Sequence, residues 1–372
     1  MARSQKSKVK SKKYTIAVLG SHSALDICRG AKDEGFKTLV IAQKGREKTY
    51  TQYYKTKGKV GCVDECIVVN KFSDILKLDV QKKLLSKNAI FIPHRSFEVY
   101  INNYDDIEKK FKIPVFGNRF LLRYEERSQK PNQYDLLRKA KITYPKIFKN
   151  YREIDRLVLV KVSEKERGFE RAFFLADSPG EYRTESAKMI RKGIITREAL
   201  DSATIEEFVL GVQVDFNFFY SPITGKLELV GTDSRRQTDL DGLLKLPEYW
   251  QRKIKTIQKR VKQEEAGHVA VTVLESMLEQ AFEMGERFVK ASQEMQSPGI
   301  IGPFALQACI TPGPPKKDIV VFDVSPRMPG SPGIFATPYS GYLYGQSFSV
   351  GRRLAKEIKL AIKKGQLKKC LT

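Results

Sequence analysis

Beyond residue 14, short apolar runs alternate with stretches of helical spacing. Thr15–Leu19, Thr38–Ile41, Cys66–Val69, Ala89–Ile92 and Val115–Phe116 read as short buried strands. Ala24–Glu34 and Asp74–Leu85 lie between them and read as helices, the first closed by Gly35. Strands alternating with helices predict a parallel sheet with right-handed crossovers over roughly residues 14–120. A helix around Asn132–Lys139 then leads through Ile142–Pro145 into a region of different texture.

There, strands follow one another directly. Leu157–Val162 and Ala172–Ala176 form a hairpin pattern; Ile205–Leu210, Val214–Tyr220 and Lys226–Val230 follow, with turns at Gly211 and Ser221–Gly225. Leu274, Met277, Leu278, Ala281, Phe282, Phe288 and Val289 give one helical face over Val269–Val289, ended by the Gly/Pro cluster Ser297–Pro303. Pro303–Ala308 and Asp318–Val324 are the last strands, and Arg352–Lys364 is a terminal helix. The pattern predicts an α+β region after an α/β first third.

Composition narrows the class. The 372 residues carry 67 Lys+Arg against 43 Asp+Glu, a formal charge of +24. Most of that excess sits in three places: +6 over residues 1–13, +6 over 251–263 and +7 over 352–372. The remaining chain carries only +5, so the body is nearly balanced. Such runs are ordinarily solvated ends and faces, although they also suit a polyanion or a phosphorylated small molecule. No zinc-finger spacing or RNA-binding aromatic motif accompanies them, so nucleic acid is not the expected partner. No apolar run approaches the ~20 residues of a membrane span, and the N-terminus lacks the apolar stretch of a secretory signal. Cys28, Cys62, Cys66, Cys309 and Cys370 form no CxxC pair, which predicts a reducing, cytoplasmic setting without structural zinc.

Candidate chemistry starts with two of the three histidines. His22 follows the first strand within Gly20-Ser21-His22-Ser23, and His94 follows the fourth within Pro93-His94-Arg95-Ser96. Open parallel sheets bind ligands beyond the carboxyl ends of their strands. An imidazole beside hydroxyl residues at two such ends suits a phosphorylated ligand, with simple helix capping as the alternative. His268 has no such setting and reads as structural. Lys161 ends an apolar strand, where an ammonium is costly unless it meets an anion or solvent. Gln307 and Asp323 sit within two late apolar strands; they suit either Mg²⁺ coordination or a hydrogen-bonded polar pair. Asp233, Arg235, Arg236, Asp239 and Asp241 read as a polar loop facing substrate or solvent.

Taken in order, these pieces resemble the ATP-grasp ligases. More narrowly, the chain resembles the archaeal formate-dependent 5-formaminoimidazole-4-carboxamide ribonucleotide (FAICAR) synthetases of purine biosynthesis. The matching segments are LGSHSALDICRGAKDEGF (19–36), FGNRFLLRYE (116–125), IEEFVLGVQVDFNFFYSPI (205–223), DLDGL (239–243), FEMGERFVKA (282–291), GIIGPFALQ (299–307) and VFDVSPR (321–327). The resemblance implies an α/β N-terminal parallel-sheet domain, Rossmann-like and pre-ATP-grasp, followed by an α+β ATP-grasp domain. It sets boundaries at 14–125 and 126–372, after a basic tail over 1–13. The second domain would divide into a nucleotide subdomain (about 131–211) and a catalytic and metal subdomain (about 212–372).

The resemblance also implies an activity: ATP- and formate-dependent formylation of 5-aminoimidazole-4-carboxamide ribonucleotide (AICAR), through formyl phosphate. His22, Ser96, Arg235 and Asp239 would hold AICAR, the last in place of the family's usual Asn. Lys161 would meet the ATP phosphates, Glu206, Glu207, Phe208, Val209 and Leu210 would receive the adenine, and Arg327 would join Lys161 in catalysis. Gln307 and Asp323, the second normally Glu, would hold Mg²⁺ or Mn²⁺. A homo-oligomer acting on small molecules is implied. Two segments depart from the family: residues 162–171 hold one glycine and three glutamates where the family has a glycine-rich phosphate loop, and Arg327–Pro332 replaces a glycine-rich turn. They keep open the alternative of a divergent paralogue that binds a purine-pathway ribonucleotide without turning over ATP.

Overall fold

Strands β1 (Thr15–Leu19), β2 (Lys37–Gln43), β3 (Glu65–Val69) and β4 (Ala89–Phe91) form one sheet in the order β3-β2-β1-β4, every pair parallel. Helices α1 (Ala24–Asp33), α2 (Leu78–Ser86) and α3 (Arg95–Ile101) belong to the same region. Each residue of β1 is buried because both faces of the sheet are covered. Ile16 and Val18 join a core with α1, whereas Ala17 and Leu19 point to the opposite core with Val80, Leu84 and Phe97. Val115 and Phe116, expected as a strand, make only single bridges, to Phe91 and Leu371.

The structure, a computed structural model, describes residues 14–162, 173–237, 245–257, 265–313 and 316–372. The basic tail over 1–13, most of the glycine-poor stretch (163–171), and Asp239 and Asp241 of the polar segment lie outside the described residues, as does part of the basic segment 251–263.

Helix α4 (Gln133–Lys139) starts at Asn132, whose side chain accepts from the Tyr134 N–H while Asp135 reaches back to the Asn132 N–H. Strands β5 (Ile147–Phe148), β6 (Val158–Lys161), β7 (Phe173–Ala176) and β8 (Thr204–Glu207) form an antiparallel sheet in the order β5-β8-β6-β7. Helices α5 (Pro179–Arg191) and α6 (Arg197–Asp201) cover it. The sequence pattern missed α5, although Ser178 caps it and Pro179 opens it.

Five strands build the remaining sheet, β11-β10-β9-β12-β13, also antiparallel. They are β9 (Val212–Ser221), β10 (Lys226–Gln237), β11 (Glu265–Ala270), β12 (Gly302–Thr311) and β13 (Asp318–Ser325), with α7 (Glu248–Ile257) between β10 and β11. Helix α8 (Leu278–Met295) packs Ala281, Met284 and Phe288 on this sheet against Phe218 and Phe304. Two expectations are corrected here. The segment from Val269 to Leu274 is not helical, because Glu265–Ala270 pairs with β10. Asp233, Arg235 and Arg236 are not in a loop: β10 runs to Gln237, with β9 and β11 satisfying its backbone on either side.

Helix α9 (Tyr339–Tyr344) precedes α10 (Val350–Lys363), which returns to the first sheet and crosses α1. That crossing is backbone on backbone: a Cβ on Gly30 would lie 2.2 Å from the Arg352 amide nitrogen, and one on Gly351 2.4 Å from the Asp26 carbonyl oxygen. Among the described residues, no helix is long and apolar enough to cross a membrane. The five cysteines are free.

Gly30→Ala should therefore destabilise the fold by about 1–3 kcal/mol, since neither backbone can yield without separating the helices. Gly180→Ala, where nothing lies within 4 Å, should be neutral or slightly stabilising. Chemical denaturation of both variants checks the contrast.

Candidate active site

The β1 and β4 strands are neighbours, so the loops that leave them share one edge. His22 adopts φ 51° in the first loop, and its ring stacks on His94 with centroids 5.4 Å apart and planes 11° from parallel. His94 donates from Nε2 to the Leu19 carbonyl (3.0 Å) and accepts the Ser96 N–H on Nδ1 (3.3 Å). The carbonyl can only accept, so this pattern defines the neutral Nε2–H tautomer. Burial drives the His94 pKa down to about 4. It lowers His22 as well, helped by His94 and Arg327. Both rings are uncharged at neutral pH. Ser96 is buried in the first turn of α3, beside them.

The turn after β13 docks on this edge. Ser23 donates to the Pro329 carbonyl (2.6 Å), and Met328 pairs with His94 through the backbone. A Cβ on Gly330 would lie 2.6 Å from His22 Cε1, so this one position of the turn needs glycine. Arg327 reaches back to Glu125 (Nη2, 2.6 Å), Glu98 (Nε, 3.4 Å) and the Met328 carbonyl (Nη1, 3.2 Å). Arg95 also meets Glu125, at 3.2 Å. Burial, then repulsion from Glu125, raises the Glu98 pKa well above the carboxylate range. Two buried carboxyl groups thus orient the Arg327 guanidinium.

A second cluster is organised by strand register. Across the five-stranded sheet Asp323 lies opposite Gln307, Gln307 opposite Asp215, and Asp215 opposite Asp233. Directly opposed residues share a face, so four strands present one polar row. Arg235, two residues beyond Asp233, ion-pairs with Glu265 (3.4 Å), approaches Asp215 (3.8 Å) and donates to the Gln307 side-chain oxygen. Lys161 pairs with Glu206; Glu206 accepts from the Tyr134 hydroxyl (2.6 Å), and Arg127 joins Tyr134 (3.2 Å) to Asp323 (2.8 Å).

The charges respond to this crowding. Burial would raise the Asp323 pKa, but Arg127, Lys161 and Arg235 outweigh it and hold it at about 2. Burial and Arg127 lower Lys161, against Glu206 and Asp323. Burial takes Asp215 up to about 7, with Asp233 adding to it and Arg235 opposing. Asp323 stays ionised while its surroundings are strongly cationic, a setting suited to phosphate oxygens and their counter-ion.

Lys161, Glu206, Arg235, Gln307 and Asp323 are therefore brought together, as are His22, Ser96 and Arg327. His268 links the two groups. It bonds Asp233 through Nδ1 and Glu265 through Nε2 (2.9 Å), and Glu265 meets Arg235; His22 senses both Glu265 and His268. The structural reading of His268 is corrected: burial would depress it, yet the two acids lift its pKa to about 9. Strand alternation turns Glu207 away from Lys161 to Arg156 (3.3 Å). Val209 is half-buried, and Phe208 and Leu210 are 38% and 72% exposed where the chain leaves β8. Arg127, Tyr134, Glu98 and Glu125 had no sequence signal. Asp215 and Asn217 had one, as polar residues alternating within Val214–Phe218.

Residues 181–372 match a family described as a domain of unknown function, DUF1297, and residues 16–148 one described as a protein of unknown function, DUF1246. The chain is 38% identical over 358 residues to the 5-formaminoimidazole-4-carboxamide-1-(beta)-D-ribofuranosyl 5'-monophosphate synthetase of Methanopyrus kandleri, covering 96% of this chain and 95% of that relative. It belongs to the FAICAR synthetase family. Among solved structures, an IMP biosynthesis protein PurP from Thermococcus kodakaraensis is similar with TM-score 0.71 and 28% identity, over 96% of this chain and all of that one. N5-carboxyaminoimidazole synthetase from Staphylococcus aureus, complexed with ADP, has TM-score 0.56 at 12% identity, covering 90% of this chain and 78% of that one. The fold is thus that of the ATP-grasp enzymes, as expected from the sequence.

In this member of the FAICAR synthetase family, the neutral His94 ties the histidine edge to stability. Between pH 6.5 and 4 the unfolded imidazole binds a proton that the folded one refuses. Stability is full above that window and falls as pH drops through it, by about 3 kcal/mol. Urea midpoints should decline from pH 7 to pH 4.5, and His94→Gln should flatten the decline.

Proposed function

We propose that this chain formylates AICAR with formate and ATP, giving FAICAR, ADP and phosphate. The observation that carries the reading is that Gln307, opposite Asp323, contacts Arg235, which meets Glu265 and through it His268, with His22 within electrostatic reach of both. A phosphorylation half-site and a ribonucleotide half-site must adjoin when a reactive acyl phosphate passes between them.

Formate is a poor acyl donor because hydroxide leaves badly. Transfer of the γ-phosphoryl group to a formate oxygen releases ADP and leaves formyl phosphate. The 5-amino nitrogen of AICAR then attacks the formyl carbon, the carbon–oxygen bond to phosphate breaks, and the amine gives up a proton as phosphate departs. Lys161, Arg127 and Arg235 gather positive charge where the phosphates would lie, which lowers the barrier electrostatically. Glu206 and Tyr134 hold the Lys161 ammonium in place. His22, His94 and Ser96 offer uncharged hydrogen-bonding groups to the ribonucleotide. Arg327, clamped by Glu98 and Glu125, lies within electrostatic reach of both histidines and is assigned to the transferring acyl group. The segment Glu206–Leu210 would receive the adenine, with Phe208 as its apolar surface.

Mg²⁺ fits the late strands. Asp323 keeps its charge at neutral pH, and Gln307 opposes it in register with an amide oxygen; hard oxygen donors of this kind, completed by phosphates, suit Mg²⁺ or Mn²⁺. Bound there, the ion would supply neutralisation of phosphate charge.

A coupled assay following ADP and FAICAR together tests the reading. Wild-type protein should form both in equal amounts, only with formate and AICAR present. Lys161→Ala should lower turnover by about 10²-fold or more while leaving AICAR binding intact. His22→Ala should instead raise the KM for AICAR. Folded wild-type protein that forms no FAICAR would falsify the proposal.

A further inference from the structure

At the end of the row away from Asp323 lies a group to which the formylation reading gives no catalytic role. Asp215 on β9, Asp233 on β10 and His268 on β11 bring one ligand atom each within 4.8 Å of one another. Both aspartates are almost fully buried, at 5% and 1% exposed. Among the described residues, the nearest cation to Asp215 is Arg235 at 3.8 Å, and Arg235 is shared with Glu265 and Gln307. These buried carboxylates face the shared guanidinium and the His268 ring, and a divalent ion would replace the proton between Asp233 and His268 with a larger counter-charge.

An independent observation comes from Asn217, which has no exposed surface and lies on the same face of β9 as Asp215, two residues along. Its amide nitrogen donates to Asp233 Oδ1 (2.6 Å) and to the Asp215 carbonyl (3.3 Å). Those two acceptors fix the orientation of the carboxamide, since flipping it would set oxygen against oxygen. The Asn217 side-chain oxygen is left buried without a partner. Asn217 thus fixes the Asp233 carboxylate through its nitrogen, while ligand atoms of Asp215, Asp233 and His268 lie close enough to share one cation.

We propose that Asp215, Asp233 and His268 form a divalent transition-metal site separate from Gln307 and Asp323, with Asn217 fixing the Asp233 carboxylate. An imidazole among oxygen donors selects a borderline ion such as Zn²⁺ over Mg²⁺. The ion takes the place of the hydrogen-bond proton between Asp233 and His268, and the two side chains separate to ligate it. Glu265, on the other ring nitrogen, orients the imidazole as outer partners of metal-bound histidines do. The site lies at the end of the row away from Asp323, on the side of the histidine edge. It can hold its ion without ATP.

The test is isothermal titration of Zn²⁺ alone into the chelator-stripped full chain, with no nucleotide, so it is independent of the formylation reading. Wild type should bind one tight equivalent, and Asp233→Asn and His268→Gln should each weaken it at least tenfold. Asp323→Asn should retain it. Co²⁺ loading should give a visible d–d band that His268→Gln removes. Circular dichroism checks folding; should Asp233→Asn not fold, His268→Gln decides. Absence of a tight equivalent, or loss in Asp323→Asn but not in His268→Gln, overturns the site and leaves the Asp233–His268 contact as an ion pair only.

Discussion

Register in the five-stranded antiparallel sheet is the constraint on which the site rests. Opposed residues share a face, so the alignment Asp323–Gln307–Asp215–Asp233 is a consequence of how β13, β12, β9 and β10 pair. A slip of one residue in any strand would send its polar group to the opposite face. The apolar residues around the row prevent that slip. Phe216, Phe218, Phe304, Leu306 and Val321 are buried in the core beneath α8. Packing on one side of the sheet thereby holds the geometry of the polar row on the other.

A second constraint joins this sheet to the N-terminal edge. The turn after β13 carries Arg327 into a buried pair of glutamates and sets Gly330 against the His22 ring. Helix α10 reinforces the same union. Its Arg353 forms two bonds to Glu228 of β10, while Gly351 lies on the backbone of α1. A buried ion pair adds little net stability, but breaking one leaves a costly unpaired charge, so the relation between the two sheets is well specified. The proposed reaction needs that relation, because each sheet supplies half of the proposed site.

Several parts of this arrangement were legible along the chain. The alternation of apolar runs with helical spacing located β1 to β4 and α1, and direct strand succession located the antiparallel region. His22 and His94 were recognisable because each follows a buried strand, and chain order alone places such loops at one edge. Lys161, Gln307 and Asp323 stood out as polar groups inside apolar strands. The errors came where local pattern and pairing disagreed. Val269–Leu274 carries helix-like spacing, yet β10 offers the preceding segment a partner. Asp233 and Arg235 look like loop residues until β11 pairs with both, and β9 with Asp233 as well.

Periodicity and burial cost, which act between residues close in sequence, determined the element types and marked isolated polar residues as chemistry. They carry no information on which distant charge meets which. The assignment of Arg127 to Asp323, of Glu98 and Glu125 to Arg327, and of His268 to Asp233 spans from 35 to over 200 residues. Only the pairing of strands and the docking of the β13 turn bring those groups within bonding distance. A charge's role depends on the neighbours that replace its water, and in this protein those neighbours were chosen by the tertiary fold.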